Sequence, residues 1–275
     1  MTASHDIFQS LNDQPVETLD RIVARMEERG REPRFIQMRG DYLDLVALQS
    51  ARTFLDLGCG TGLDARAAAK RPEFKGVATG VDLSTGMIEA GEKLAQEEGV
   101  ADRVLLRVGD AAMTGLPSGS MDVVVMHTLV SHVVDPAAVL REAARLLGQR
   151  GRILVFDADF SSLAFAYPDA DIAKAMEASL LETFVANPSI MRDLPSILPS
   201  CGLRLEATRS HILADAGTTA FFVGMLENYG PLVPKMGLQT QATSDAWLDH
   251  QRRSIAGETF FGSLNFHSYL LRPLA

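Results

Sequence analysis

Between Arg52 and Asp157 the chain alternates short apolar runs with longer stretches of helical periodicity. Runs of five or six apolar residues bounded by Gly, Asp or Pro read as buried strands, and apolar residues at i, i+3, i+4 read as helices packed on one face. The expected strands are Thr53–Leu57, Val77–Leu83, Val104–Val108, Asp122–His127 and Arg152–Phe156. The helices between them are Gly62–Lys70, Thr85–Glu98 and Pro136–Leu147, the last with Pro136 in its first turn and Asp135 as N-cap. This alternation predicts an α/β fold: a doubly wound, mostly parallel sheet with helices on both faces, and ligands at the carboxyl ends of its strands.

The flanks carry a different pattern. Residues 1–50 read as helical, with Leu19, Ile22, Val23 and Met26 on one face. Gly30 and Pro33 interrupt them before Phe35, Met38, Tyr42, Leu45 and Val46 resume the spacing. Beyond Asp157, helices are expected at Asp171–Val185 and Leu194–Cys201, and strands at Leu203–Leu213 and Thr259–Leu271. The last strand is expected antiparallel, completing seven. The predicted division is 1–50 as N-terminal helices forming part of a lid, 51–216 as the ligand-binding α/β core, 217–258 as a helical insertion serving as a substrate lid, and 259–275 as the last core strand.

Composition narrows the class. With 275 residues, 47% of them hydrophobic, a sizeable core can be buried. A net charge of −9 argues against a nucleic-acid face. The two cysteines, Cys59 and Cys201, read as reduced thiols, because Cys59 lies within a glycine-rich turn. No 18-residue apolar run is present, and the polar start Met-Thr-Ala-Ser-His-Asp lacks a secretory apolar segment. A cytoplasmic protein without a membrane partner is expected, and a homodimer is compatible with the chain.

The most telling stretch is Phe-Leu-Asp-Leu-Gly-Cys-Gly-Thr-Gly at 54–62. Gly58, Gly60 and Gly62 let backbone N–H groups approach a ligand with no Cβ in the way, and the helix that follows adds free N–H groups. The dinucleotide fingerprint G-x-G-x-x-G does not fit, since Leu63 stands where its last glycine belongs. Asp56 just before the turn points from NAD towards S-adenosylmethionine. Asp82 ends the second strand about 20 residues after Gly62, and Gly109-Asp110-Ala111 ends the third. A carboxylate at Asp82 can accept from both ribose hydroxyls.

These motifs resemble the class I S-adenosylmethionine-dependent methyltransferases, the small-molecule group in particular, over residues 35–160. The resemblance implies that Asp56, Gly58, Cys59, Gly60 and Gly62 form the loop around the methionine part of the cofactor. It implies that Asp82 holds the ribose, Leu83 and Met87 line the adenine, and Asp110 with Ala111 receives its amino group. It also implies that Arg39, in an Arg-x-x-Tyr with Tyr42, holds the methionine carboxylate, and that His127 meets the cofactor amine through its backbone. The plain alternatives are that each acid ends a strand or caps a helix and that Arg39 is a surface arginine. An NAD-dependent oxidoreductase is disfavoured by Leu63 and Asp110.

Methyl transfer asks for positioning, and for a base only where the accepting atom carries a proton. His127 ends the fourth strand and His132 follows on the next loop; they are the candidate bases, with a structural or orienting role for His132 as the alternative. Asp157 and Asp159 are expected just after the fifth strand, where they, Asp159 in particular, can orient a polar acceptor, with capping of the next turn as the alternative. His211 and His267 read as core or edge residues. His5 and His250 are scattered, so no metal is expected. Phe184, Phe221, Met225, Tyr229, Met176, Met191, Phe222, Met236 and Trp247 are candidates for an apolar acceptor pocket or for plain core. The expected activity is methyl transfer to a small organic acceptor, at oxygen or nitrogen before carbon, in natural-product biosynthesis. The alternative is a relative that binds the cofactor without transferring its methyl group.

Overall fold

The computed structural model describes residues 6–274. The expectations for residues 1–5, His5 among them, and for residue 275 lie outside these. Seven strands form one sheet in the order β3-β2-β1-β4-β5-β7-β6. They are β1 (Thr53–Leu57), β2 (Val77–Asp82), β3 (Val104–Val108), β4 (Met121–His127), β5 (Leu147–Phe165), β6 (Leu203–Gly217) and β7 (Phe260–Pro273). The first five run parallel, and β7 pairs antiparallel with β5 and β6. The chain winds outward in both directions from β1, so a crevice opens between the ends of β1 and β4. Gly58 and His127 stand at its two sides.

The central strands β1, β4 and β5 are buried on both faces, as strands inside a parallel sheet require. Alternate residues divide between two cores. Phe54, Val123, Val125, Leu154 and Phe156 face one side, while Leu55, Leu57, Val124, Met126 and Val155 face the other. Helices α3 (Leu63–Lys70), α4 (Thr85–Glu97), α5 (Pro136–Leu146), α6 (Ala170–Glu182) and α7 (Ile190–Ile197) supply the outer layers. Asp135 caps α5 by accepting from the Ala138 N–H, with Pro136 in the first turn as its sequence predicts.

The fifth strand departs most from what its sequence suggests. The expectation was Arg152–Phe156, followed by a turn carrying Asp157 and Asp159. β5 instead runs on to Phe165, because Asp157 pairs with His267, Asp159 with Asn265 and Phe165 with Gly262 of β7. The two acids therefore stand inside the sheet. A partner strand over a hundred residues away is not visible in local periodicity.

Helices α1 (Val16–Arg31) and α2 (Pro33–Leu45) cover the ligand edge. Pro33 starts α2 behind the Glu32 cap rather than merely ending α1. A buried network fastens α1: the Arg66 guanidinium donates to Glu27 at 2.5 Å, and Thr61 donates to the same oxygen at 2.6 Å. A Cβ on Gly86 would lie 2.2 Å from Leu19, so glycine there lets α1 seat against α4. Ahead of α1 a 3-10 segment, Ile7–Asp13, lies over the same edge, with Leu11 buried among Ile22 and Met87. After β6 come α8 (Phe221–Tyr229), α9 (Leu232–Lys235) and α10 (Gln241–Ala256). Trp247 of α10 packs edge-on to Phe165 in the core. Among the described residues, no helix is long and apolar enough to cross a membrane.

Candidate active site

A cavity of about 730 Å³ lies at the carboxyl ends of β1 to β4, beneath α1, α8 and the N-terminal segment. Its first half is a cradle of backbone. Gly58 and Gly60 line it at φ +69° and +53°, in the left-handed region that side chains disfavour. A Cβ on Gly58 would sit 2.3 Å from Leu129. The Asp82 carboxylate faces the cavity while accepting from the Gly60 N–H at 2.8 Å and the Ser84 N–H at 2.9 Å. Burial raises its pKa against the pull of those two donors. Leu83, Met87, Asp110 and Ala111 also line this half.

Other members of the expected cofactor set stand behind the wall. Asp56 is buried, and its carboxylate accepts from the Ala65 N–H at 3.1 Å, which anchors the start of α3. Burial and the neighbouring Asp64 raise its pKa well above the ordinary value. Cys59 gives its N–H to the Val81 carbonyl, and burial pushes its thiol well up. Gly62 supplies the left-handed turn into α3 without reaching the cavity.

Arg39 requires a correction. Its guanidinium binds Asp64 at 3.0 Å and the Gly30 carbonyl, and it does not line the cavity. Asp64 draws it inward. Burial alone would raise the Asp64 pKa, but His127, Arg39 and Tyr42 outweigh that and hold it at about 2. Tyr42 donates to Asp64 at 2.6 Å, and its own pKa is raised well above the ordinary value by burial and by that carboxylate. Two arginines of α1 line the cavity instead, Arg25 and, one turn on, Arg29. Arg29 stands over the Phe35 ring and reaches Thr128 Oγ1 at 3.4 Å, with no carboxylate within salt-bridge distance among the described residues. Burial lowers its pKa, opposed by the nearby Tyr229 and Asp157.

Both candidate histidines line the cavity, each with Nδ1 held by a carboxylate. His127 Nδ1 lies 2.9 Å from the Tyr42 hydroxyl and 3.2 Å from Asp64. His132 Nδ1 lies 2.7 Å from Asp6. Asp157 holds the loop beneath His132, accepting from the Ser131 N–H at 3.1 Å and its hydroxyl at 3.0 Å. Asp159 is the second correction: its carboxylate pairs with Arg192 at 2.9 Å and stays out of the cavity. In the second half Phe8, Phe160, Phe184, Phe221, Tyr229 and Phe266 form an aromatic chamber. Phe184 and Tyr229 stack at 4.1 Å. Met225 joins them, whereas Met176, Met191, Phe222 and Trp247 are core. Arg29, Asp6 and Asp64 have no motif to announce them; only Asp64's place directly behind the glycine turn carries any signal.

Comparison with known proteins agrees with this geometry. Residues 55–155 match the family model described as a methyltransferase domain. An uncharacterized 37.1 kDa transposon protein of Streptomyces fradiae is 27% identical over 95% of this chain and 72% of its own. The aklanonic acid methyltransferase of Streptomyces sp. strain C5 is 29% identical over 62% of this chain and 73% of its own. The nocamycin O-methyltransferase of Saccharothrix syringae is 38% identical over 40% of this chain and 39% of its own. Among solved structures, the geranyl diphosphate C-methyltransferase of Streptomyces coelicolor, bound to S-adenosyl-L-homocysteine, superposes with a TM-score of 0.53. It covers 85% of this chain and 76% of its own, at 16% identity, a likeness of fold.

Proposed function

We propose, on the match of residues 55–155 to a methyltransferase domain and the likeness to named methyltransferases, that the chain is a class I S-adenosylmethionine-dependent methyltransferase and that it methylates a hydroxyl of a small, largely apolar acceptor. The observation that carries this reading is one continuous cavity. It joins the glycine and Asp82 cradle to the aromatic chamber, with His127 and His132 on its wall. The cradle fits the cofactor: no Cβ intrudes at Gly58 or Gly60, Asp82 keeps lone pairs for ribose hydroxyls, and Arg29 offers a planar donor fork to a carboxylate. S-adenosylmethionine supplies, when bound, a methyl group on a positively charged sulfur.

The residues around it position and shield. Gly58, Gly60, Asp82, Leu83, Met87, Asp110 and Ala111 hold the cofactor, and Arg29 takes the place expected of Arg39. Leaving a guanidinium in an enclosed site without an anion is costly, so Arg29 favours a ligand that brings one. The aromatic chamber excludes water and holds the acceptor flat, which raises the effective concentration of the reacting atoms. His132 takes the hydroxyl proton. The nocamycin O-methyltransferase supports oxygen as the accepting atom, and with the aklanonic acid methyltransferase it supports a natural product as the acceptor.

Calorimetric titration with S-adenosylhomocysteine, followed by turnover with a panel of small hydroxylated aromatics, tests the proposal. Acceptor-dependent formation of S-adenosylhomocysteine supports it. Absence of S-adenosylhomocysteine binding overturns the cofactor assignment. Binding without turnover for any acceptor favours the non-methylating alternative.

A further inference from the structure

We propose that Asp6 is the positioning residue of the His132 base, delivered by the N-terminal segment, and that the acceptor group is therefore a weakly acidic hydroxyl such as a phenol or enol. The inference rests on the function proposed above and adds to it. Asp6 has a fully buried side chain. Its Oδ1 accepts from the Phe8 N–H at 3.0 Å, which caps the segment, and its Oδ2 meets His132 Nδ1 at 2.7 Å. An ionised carboxylate only accepts, so in the neutral imidazole it fixes the tautomer with the proton on Nδ1 and the lone pair on Nε2. Nε2 has no hydrogen-bond partner among the described residues, and the ring lines the cavity. Phe8, at 4.7 Å between ring centres, sets the ring's tilt from one side, and Phe160 stands edge-on at 6.3 Å.

The neighbouring carboxylates are placed for other work. Asp157 accepts from Ser131 and Ala158, and so holds the loop rather than the ring. Asp64 shares its charge among Arg39, Tyr42 and His127. Asp6 alone of the three reaches His132 directly, from a segment outside the sheet. That segment also spans the two ends of the site. The Gln9 amide donates to the His132 carbonyl at 2.6 Å, and Asn12 bonds Leu83 O at 2.8 Å and Thr85 N at 3.1 Å. One short stretch thus ties the loop carrying the base to the loop at the cofactor end.

The chemistry selects the acceptor. A carboxylic acid is already ionised at neutral pH, whereas a phenol with a pKa of about 10 is not and gains from a base. The acceptor's O–H bond breaks and its proton passes to His132 Nε2. The oxygen forms the new bond to the methyl carbon, and the sulfur keeps the electron pair of the bond that breaks.

The test uses the full chain. Two-bond ¹H–¹⁵N spectra, with His132→Ala assigning the resonance, should show His132 as the Nδ1–H tautomer. In Asp6→Asn the side-chain amide can donate to Nδ1, and the resonance should move to the Nε2–H tautomer. Where the same swap imposes the wrong tautomer in a serine-protease triad it costs about 10⁴ in kcat, and general bases contribute about 10² to 10⁴. Asp6→Asn should therefore lower kcat with a phenolic acceptor by at least about 10², leave KM and S-adenosylhomocysteine affinity within about threefold, and be partly restored by Asp6→Glu. An unchanged tautomer, an equal loss of kcat and cofactor affinity, or turnover confined to carboxylic-acid acceptors overturns the proposal. The tautomer is read without cofactor or acceptor, so its failure is distinct from failure of the methyltransferase reading.

Discussion

Replacing Asp82 by alanine tests the cofactor cradle at its most connected point. The carboxylate accepts from the Gly60 and Ser84 N–H groups and faces the cavity. Its removal leaves those two donors and the ribose hydroxyls without an acceptor. A hydrogen bond to a charged group contributes about 1.5–3 kcal/mol, and 1.36 kcal/mol is tenfold in affinity. Losing a single ribose bond therefore weakens S-adenosylhomocysteine binding by roughly 10- to 150-fold. Asp82→Asn should fall between, since its carbonyl satisfies one N–H while its amide opposes the other. The folded protein should tolerate Asp82→Asn well. Burial raises this pKa, so the folded state binds protons more readily than the unfolded one, and ionised Asp82 does not stabilise the fold as pH rises. The same shift gives cofactor affinity an acid limb: binding weakens as pH falls, from above the ordinary carboxylate range. Calorimetric titration across pH, with circular dichroism as a check on folding, measures both. A folded Asp82→Ala protein that binds within threefold of wild type would refute the role.

Three further expectations follow from single contacts. Gly58→Ala forces a side chain to φ +69° and drives a methyl into Leu129, so it should cost at least about 1–2 kcal/mol of stability and abolish cofactor binding, with Leu129→Ala recovering part of each; thermal melts and titration check it. Arg29→Leu should weaken S-adenosylhomocysteine binding at least about tenfold, as loss of one charge-assisted bond does, and Arg29→Lys by less; unchanged affinity would take the cofactor carboxylate away from Arg29. Asp64 has its folded pKa lowered to about 2 from 3.8, so its contribution is present above the unfolded value and is lost as pH falls through the folded one. Asp64→Asn should remove about 2 kcal/mol at pH 7 and flatten the stability profile between pH ~4 and ~2 in urea titrations.

The half of the cavity that we assign to the cofactor has signals that are local in the sequence. A strand, three glycines and an acid at the next strand end lie within about thirty residues, and each has one dominant conformational use. Gly58, Gly60, Asp82, Leu83, Met87, Asp110 and Ala111 all line the cavity. The parallel sheet was legible for the same reason, since runs such as Thr53–Leu57 are buried on both faces. Where placement depended on a distant partner, local pattern failed. Arg39 was matched by motif, but Asp64 and the Gly30 carbonyl hold its guanidinium away from the cavity. Asp159 sits in a strand that only β7 extends, and Arg192 neutralises it there. Asp6 and Arg29 acquire meaning only once tertiary packing places them against His132 and Thr128.

The two parts of the cavity's cover differ in how firmly they are fastened, and this bears on how ligands enter. Helix α1 is tied down by the buried Glu27–Arg66 pair, whose disruption would cost about 3–5 kcal/mol. The N-terminal segment is held by Gln9, Asn12, the Asp6–His132 contact and buried Leu11. Net hydrogen bonds contribute about 0.5–1.5 kcal/mol each, and a buried leucine about 1.5–3. The segment can therefore lift for several kcal/mol without unfolding the sheet. Its amides should exchange with solvent well before those of α1. Its hydrogen-bonded anchors end beside the cavity, at Leu83, Thr85 or His132, so S-adenosylhomocysteine should slow exchange in residues 8–13 more than in α1. Hydrogen-exchange mass spectrometry with and without S-adenosylhomocysteine decides it. Equal protection of the two elements in the free protein would show that entry requires α1 to move, and that the Asp6–His132 pair stays assembled throughout turnover.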